Sequence, residues 1–275
     1  MDRLTLFWRL HLALLGLFSL EIGWLLSLWL RAQVPGLPPD ASRWRKLRVL
    51  LGRVVRFVLG RTFPTFLVHL VGQGLVHQQV LRLSRFRWAV HLLVFGSFLV
   101  LGLLSTVTGI AVEILPALFP PEHVLNANAL SSALRDMDHP AVALANEVLG
   151  LLMLLGLALA AWRRYVRREA NLRTVASDGV FLGLLALIAL SGYPVEAFRL
   201  LAEGTVAKGL WGFVGAGLAR LLAGAPADWI SWHQGAFWFH FALVNLLLFY
   251  APFSRFFHAL ASPLVAALNL VEEAP

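Results

Sequence analysis

The chain has 275 residues, 59 % of them hydrophobic and only 14 % charged, with a formal net charge of +8. A mean hydropathy of +0.75 lies far from that of soluble domains and marks an integral membrane protein. There is no cysteine, which excludes disulfides and thiolate ligation of metals on this chain.

Apolar stretches near the span length of about 20 residues fall at 5–30, 88–112, 141–162, 178–198 and 236–258. They predict an all-α bundle of five transmembrane helices covering residues 1–275 as one membrane domain, without internal repeat or soluble linker. The first stretch is too long for a signal peptide, carries Glu21 and ends at Leu30-Arg31 with no small-residue cleavage site; it is expected to be a retained span. Pro35-Gly-Leu-Pro-Pro39 then breaks the helix. Residues 43–60 read as a basic amphipathic helix lying on the membrane surface. The run from Phe63 to Arg82 is interrupted by His69, Gly72, Gly74 and His77, so a re-entrant or interfacial helix is expected there. Residues 208–224 are apolar but carry Lys208 and Arg220, predicting a second interfacial helix rather than a sixth span.

Charge orients the spans. Eleven basic residues lie between Arg31 and Arg87 against the single acid Asp40, and Arg163, Arg164, Arg167, Arg168 and Arg173 follow the third span. The loop after the second span holds Glu113, Glu122, Asp136 and Asp138 with only Arg135. The positive-inside rule then places the N-terminus outside and the C-terminus in the cytoplasm. The basic excess follows topology, with anionic membrane lipid as its counter-charge and no nucleic acid partner.

Histidines carry the chemistry. His240 and His258 are 18 residues apart, which on one helix is about five turns and about 27 Å, so they share a face. Imidazoles in membrane helices are costly unless used, and haem iron takes two of them from facing helices. His91, at the start of the second span, shares a depth with His258; both could instead be interfacial anchors like Arg87, Trp88 and Arg255. For His240, near the outer end of the fifth span, the candidate partners are His139, His11 and His123. His139 best matches its depth, although a polar residue before Pro140 also suits a helix start. His233 lies two turns before His240 on nearly the same face; it could replace His240 as ligand, or bind a quinone or a propionate. Pro252 predicts a kink before His258. Arg255 could pair with a haem propionate or snorkel to the interface. Glu21 and Glu196 are candidates for proton handling, or for ordinary pairing with Arg9 or Arg199.

The segment with His240, Ala251-Pro252-Phe253-Ser254-Arg255 and His258 resembles the fifth helix of the respiratory nitrate reductase gamma subunit family. Trp88-Ala-Val-His91-Leu-Leu-Val-Phe-Gly96 resembles its second helix, and the likeness runs over all five spans. It implies that His91 and His258 hold haem b on the cytoplasmic side. The chain departs from the pattern at Leu101, ten residues after His91, where the family places its other second-helix ligand. Several runs are similar to the membrane cytochromes of heterodisulfide-reductase-like complexes: Arg85-Phe-Arg87, Arg163-Arg164-Tyr165, Ser191-Gly192-Tyr193-Pro194-Val195-Glu196-Ala197-Phe198-Arg199, and His233 followed by Trp238-Phe239-His240. That branch implies a cysteine-rich iron–sulfur partner in the cytoplasm. The expectation is a haem b subunit of a prokaryotic cytoplasmic membrane, with one or two haems. It would transfer electrons between the quinone pool and a cytoplasmic iron–sulfur or catalytic subunit of a respiratory oxidoreductase. The alternative is a non-redox anchor or a small proton-coupled transporter.

Overall fold

The computed structural model describes residues 3–72, 76–169, 175–254, 257, 262, 265 and 267. Among these there is no strand, and five helices are long and apolar enough to cross a membrane. They are α1 (Arg3–Trp29), α5 (Arg85–Leu118), α7 (Pro140–Val166), α8 (Ala176–Glu203) and α10 (Trp229–Phe253). Shorter helices are α2 (Arg43–Val58), α3 (Phe63–Leu70), α4 (Gln78–Leu83), α6 (Ala129–Arg135) and α9 (Phe213–Leu222). At ten residues, α9 is about 15 Å long and too short to span. The expected run 63–82 becomes α3 and α4, with 73–75 outside the described residues.

Two compact units divide the chain: residues 1–78 with 245–275, and residues 79–244. In the first, the rings of Phe18 and Trp24 on α1 meet Phe249 and Phe253. The amphipathic α2 begins at Ser42, whose hydroxyl accepts from the Arg45 N–H. Its Lys46, only 4 % exposed, donates to the Leu30 and Ala32 carbonyls (3.3 and 2.9 Å) and so satisfies the orphan acceptors at the end of α1. Between them, Gly36 takes φ +81°, the left-handed conformation the Pro35-Gly turn requires.

In the second unit, α5, α7, α8 and α9 pack together. Close approach of α5 and α7 depends on Gly156: a Cβ there would lie 2.7 Å from the Leu93 Cβ and 3.0 Å from the Val94 backbone nitrogen. The turn that meets it, Leu92–Gly96, is a π-helical segment; two more are Ile110–Ile114 and Trp162–Val166. Such wide turns leave carbonyls to be satisfied from outside the ladder. At the second of them, Arg135 donates to the Ala111 carbonyl and pairs with Asn126, whose amide reaches the Leu115, Phe119 and Pro120 carbonyls. α8 and α9 share a core of Ala197, Leu200, Ala216 and Ala219, none with measurable exposure.

The fifth span differs most from expectation. α10 starts at Trp229, seven residues before the predicted 236, and after Tyr250 tightens to a 3₁₀ turn, Ala251–Phe253. Ser254 is extended (φ −98°, ψ 168°), so the helix is interrupted there; Phe257 is helical again, and His258 lies outside the described residues. Pro252 supplies the cause, since it can neither donate to Leu248 nor tolerate the carbonyl beneath its ring. The break at Ser254 interrupts the unbroken helix on which the five-turn count from His240 to His258 rests.

Gly156→Ala is expected to force α5 and α7 apart and lower stability by about 1–3 kcal/mol. Gly183→Ala, where a Cβ would meet nothing within 4 Å, serves as the neutral comparison. Thermal unfolding of both variants in detergent reads the difference.

Candidate functional site

Polar groups gather at three places in the second unit. At the start of α5, Ser84 caps the helix by accepting from the Arg87 N–H. Glu169 then ties the neighbouring helix end to it: it accepts from Arg163 (3.1 and 2.7 Å) and lies 3.8 Å from Arg87. Arg163 also sits over the Phe86 ring. Its guanidinium holds the Glu169 carboxyl below the usual carboxylate range. This clamp fixes the turn bearing His91, which is half-buried, stacks on Phe95 (centroids 5.4 Å, planes 18° apart) and immediately precedes the first π-helical segment.

Midway along the bundle, the Ser191 hydroxyl of α8 lies 2.8 Å from His240 Nδ1 of α10 and donates to the Ile188 carbonyl at 3.0 Å. A hydroxyl has one proton. With that proton on Ile188, the remaining contact is made by Nδ1–H donating to the serine oxygen, which leaves the Nε2 lone pair of a neutral imidazole available. A ring oriented through one nitrogen with the other free is what metal ligation by histidine requires, so His240 fits a haem ligand. Because α10 starts at Trp229, His240 lies about three turns inside the helix rather than near its end.

The third cluster surrounds Arg199 of α8. Its guanidinium reaches Asp138 at 2.5 Å, Glu203 at 2.9 Å and Glu196 at 3.9 Å. Glu147 of α7, 2 % exposed, accepts from the Gly215 N–H at 3.1 Å as α9 begins. The Tyr193 hydroxyl lies 3.4 Å from the Glu147 carbonyl oxygen. Close packing at Gly212 and Gly215 admits Glu196 beside the same turn: a Cβ on Gly215 would lie 2.6 Å from the Glu196 Cγ.

The structure separates some residues that sequence groups together. His139 caps α7 without a side-chain cap bond, and its Nδ1 is shielded with no hydrogen-bond partner. Through the Asp138–Arg199 pair it stands at the level of Arg199, whereas His240 stands at Ser191, eight residues or about 12 Å along α8. His123 is used locally: its Nδ1 accepts from the Leu125 N–H, and its ring stacks on Phe119. His11 stacks on Phe7 in α1. His233 is half-buried on α10. An open cleft of about 380 Å³ is lined by Phe198, Ser231, Trp232, Gly235, Ala236 and Phe239, and His233 is not part of its lining. His258 and Arg255 lie outside the described residues. No group of three or more His, Asp or Glu residues able to hold a metal ion occurs among the described residues. Sequence reasoning passes over Glu147 and Ser191. A lone glutamate within an apolar span is the available signal for the first; the second has none stronger than its place in Ser191-Gly192-Tyr193-Pro194.

The chain is similar over part of its length to curated proteins. It is 29 % identical over 133 residues to the EtfAB:quinone oxidoreductase of Syntrophomonas wolfei, covering 43 % of this chain and 18 % of that protein. It is 26 % identical over 204 residues to one subunit of the dihydromethanophenazine:CoB–CoM heterodisulfide reductase of Methanosarcina barkeri, covering 71 % of this chain and 63 % of that polypeptide. The corresponding polypeptide of Methanosarcina thermophila is 25 % identical over 197 residues, covering again 71 % of this chain and 63 % of that one. The chain thus spans less than two thirds of the length of each of these relatives. No solved structure matches it. The family model for the nitrate reductase gamma subunit matches residues 77–268, from α4 past the end of α10, and the chain belongs to that family.

Proposed function

We propose that the chain is the haem b-carrying membrane subunit of a quinone-linked oxidoreductase, passing electrons between the quinone pool and a cytoplasmic iron–sulfur or catalytic subunit. The observation that carries this reading is His240, an imidazole held at Nδ1 by the Ser191 hydroxyl 2.8 Å away inside an apolar bundle, an arrangement that leaves Nε2 to ligate. Family membership supports it, as do relatives named for quinone and for dihydromethanophenazine-linked heterodisulfide reduction.

His91, His258 and His240 would hold haem iron, with His139 or His233 as further candidates and Arg255 beside a propionate. Haem would supply one-electron carriage between ferric and ferrous iron. The chain itself supplies orientation and dryness. Ser191 fixes the His240 tautomer, while the Arg163–Glu169–Arg87 clamp and the Gly156 contact fix the turn after His91. The cleft lined by Phe198, Trp232, Phe239, Gly235 and Ala236 combines aromatic and small residues of the kind that suit a quinone ring. The charge distribution supports an N-terminus outside and a cytoplasmic C-terminus, in the cytoplasmic membrane of a prokaryote. On that orientation the basic side faces the partner subunit and anionic lipid. Lacking cysteine, the chain would leave cluster chemistry to that partner.

Purified protein is expected to show b-haem absorption on dithionite reduction; its absence from protein expressed with haem supplied would sink the reading in favour of a non-redox anchor or proton-coupled transporter. His91→Ala is expected to remove haem from the site near the start of α5, read as a lower haem-to-protein ratio.

Ser191→Ala is expected to weaken haem retention about 10–100-fold, the usual effect of losing the group that orients a ligating histidine, and to shift the midpoint potential. Ser191→Thr, which keeps the hydroxyl, should restore both. Equal retention and potential in wild type and Ser191→Ala would show that His240 is not a ligand.

A further inference from the structure

Glu147 and Glu196 reach the same backbone from different helices. Glu147, on α7, is 2 % exposed and turns Oε1 to the Gly215 N–H, while its Oε2 is shielded and has no hydrogen-bond partner. Glu196, on α8, lies against Gly212 and Gly215, and its Oε1 is likewise shielded and unbonded. A Cβ built on Gly212 would stand 3.6 Å from Glu147 Oε1 and 3.0 Å from the Glu196 carboxyl carbon. Both carboxyls therefore border one small space at the N-terminal turn of α9.

Charge balance decides their state. The groups facing this space are Tyr193 and Arg199 from α8, Asp138 from the segment before α7, and the backbone N–H groups of Val214 and Gly215 from α9. Among these described groups Arg199 is the one cation, and its closest partners are Asp138 at 2.5 Å and Glu203 at 2.9 Å; Glu196 is at 3.9 Å. One guanidinium cannot neutralise four carboxylates, and an unpaired anion in an apolar interior is expensive enough to take up a proton instead. The helix N-terminus supplies only a partial positive charge, sufficient for about half of one carboxylate. Two carboxyls that border one space, each with an unbonded oxygen, can hold one proton in common where two full charges would repel.

We propose that Glu147 and Glu196 form a carboxyl pair that holds a single shared proton inside the bundle and exchanges it with solvent. The exchange route runs from buried Glu147 to Glu196 and then, by hydronium, to Glu203, whose side chain is 50 % exposed; Arg199 pairs with the last two and keeps its own protons. In each transfer one carboxyl O–H bond breaks and another, or a hydronium O–H, forms; no electron moves. The pair goes beyond the electron-transfer reading and does not depend on it, since its proton is measured without haem or quinone.

Infrared spectroscopy of the protonated-carboxyl stretch, on the full chain in detergent at neutral pH, tests the pair. Wild type is expected to exceed the Glu147→Gln, Glu196→Gln double variant by one protonated carboxyl per chain. That absorption should move on transfer to D₂O. Each single substitution should shift or remove it, whereas Gly217→Ala, where a Cβ meets nothing within 4 Å, should leave it unchanged. Equal absorption in wild type and double variant overturns the proposal. So does a change in only one of the two single variants, which would mark a lone acid, and so does absorption that ignores D₂O. Should the glutamine variants fail to fold, wild type alone remains decisive: no protonated-carboxyl absorption at neutral pH would mean that the pair is fully ionised.

Discussion

The ion pair between Arg199 and Asp138, 2.5 Å long with both side chains less than a fifth exposed, sets the level at which α7 enters the bundle against α8. Lipid tails give two apolar helices no preferred register, because sliding one past the other exchanges like for like. A shielded guanidinium removes that freedom, since any slip strands a charge away from its partner. From this one contact the rest of the second unit follows. α7 starts at Pro140, two residues beyond Asp138, and brings Glu147 two turns deeper beside Tyr193 and the first turn of α9. Ser191, eight residues before Arg199 on α8, meets His240 at a correspondingly inner level.

That geometry separates two kinds of polar site along α8. Around Arg199 the groups are acidic and strongly charged, with an outlet at half-exposed Glu203. Around Ser191 they are neutral: a hydroxyl, a backbone carbonyl and an imidazole, each donor matched to an acceptor. Neutral, fully satisfied groups suit a deep position where charge is costly, and they leave one nitrogen of His240 uncommitted. Pro194 lies between the two sites and removes one N–H from the ladder of α8. The helix nevertheless continues to Glu203, where Gly204 closes it at φ +67°.

Much of the architecture is legible in the sequence because hydropathy needs no tertiary information. A run of some twenty apolar residues is a span wherever it packs, and all five appear as helices. The ends are less legible. Trp229 to Gly235 contains Ser231, His233 and Gln234, which lower the apparent hydropathy where the backbone is already helical. At the other end the proline that predicts a kink, Pro252, tightens the helix into a 3₁₀ turn and leaves Ser254 extended. The π-helical turn at Leu92–Gly96, directly after His91, changes the residues per turn, and no residue in Leu-Leu-Val-Phe-Gly announces it. The site is legible in kind more than in arrangement. His91, His240 and Glu196 stand out as polar groups in apolar helices, but pairing them requires relative depth. The level of His139 depends on a salt bridge between residues 61 apart in sequence.

Two glycines at the start of α9 let one short helix serve both acids. Gly212 and Gly215 carry no side chain at the turn where Glu147 and Glu196 converge, and a Cβ at Gly215 would lie only 2.6 Å from Glu196. With any larger residue there, α9 would have to withdraw from α8, and the Gly215 N–H would leave Glu147. A helix that cannot span the membrane thus has a definite role in the packing. Its apolar face joins the core of Ala197, Leu200, Ala216 and Ala219, and its first turn brings backbone N–H groups to an acid that has no other donor of its own among the described residues.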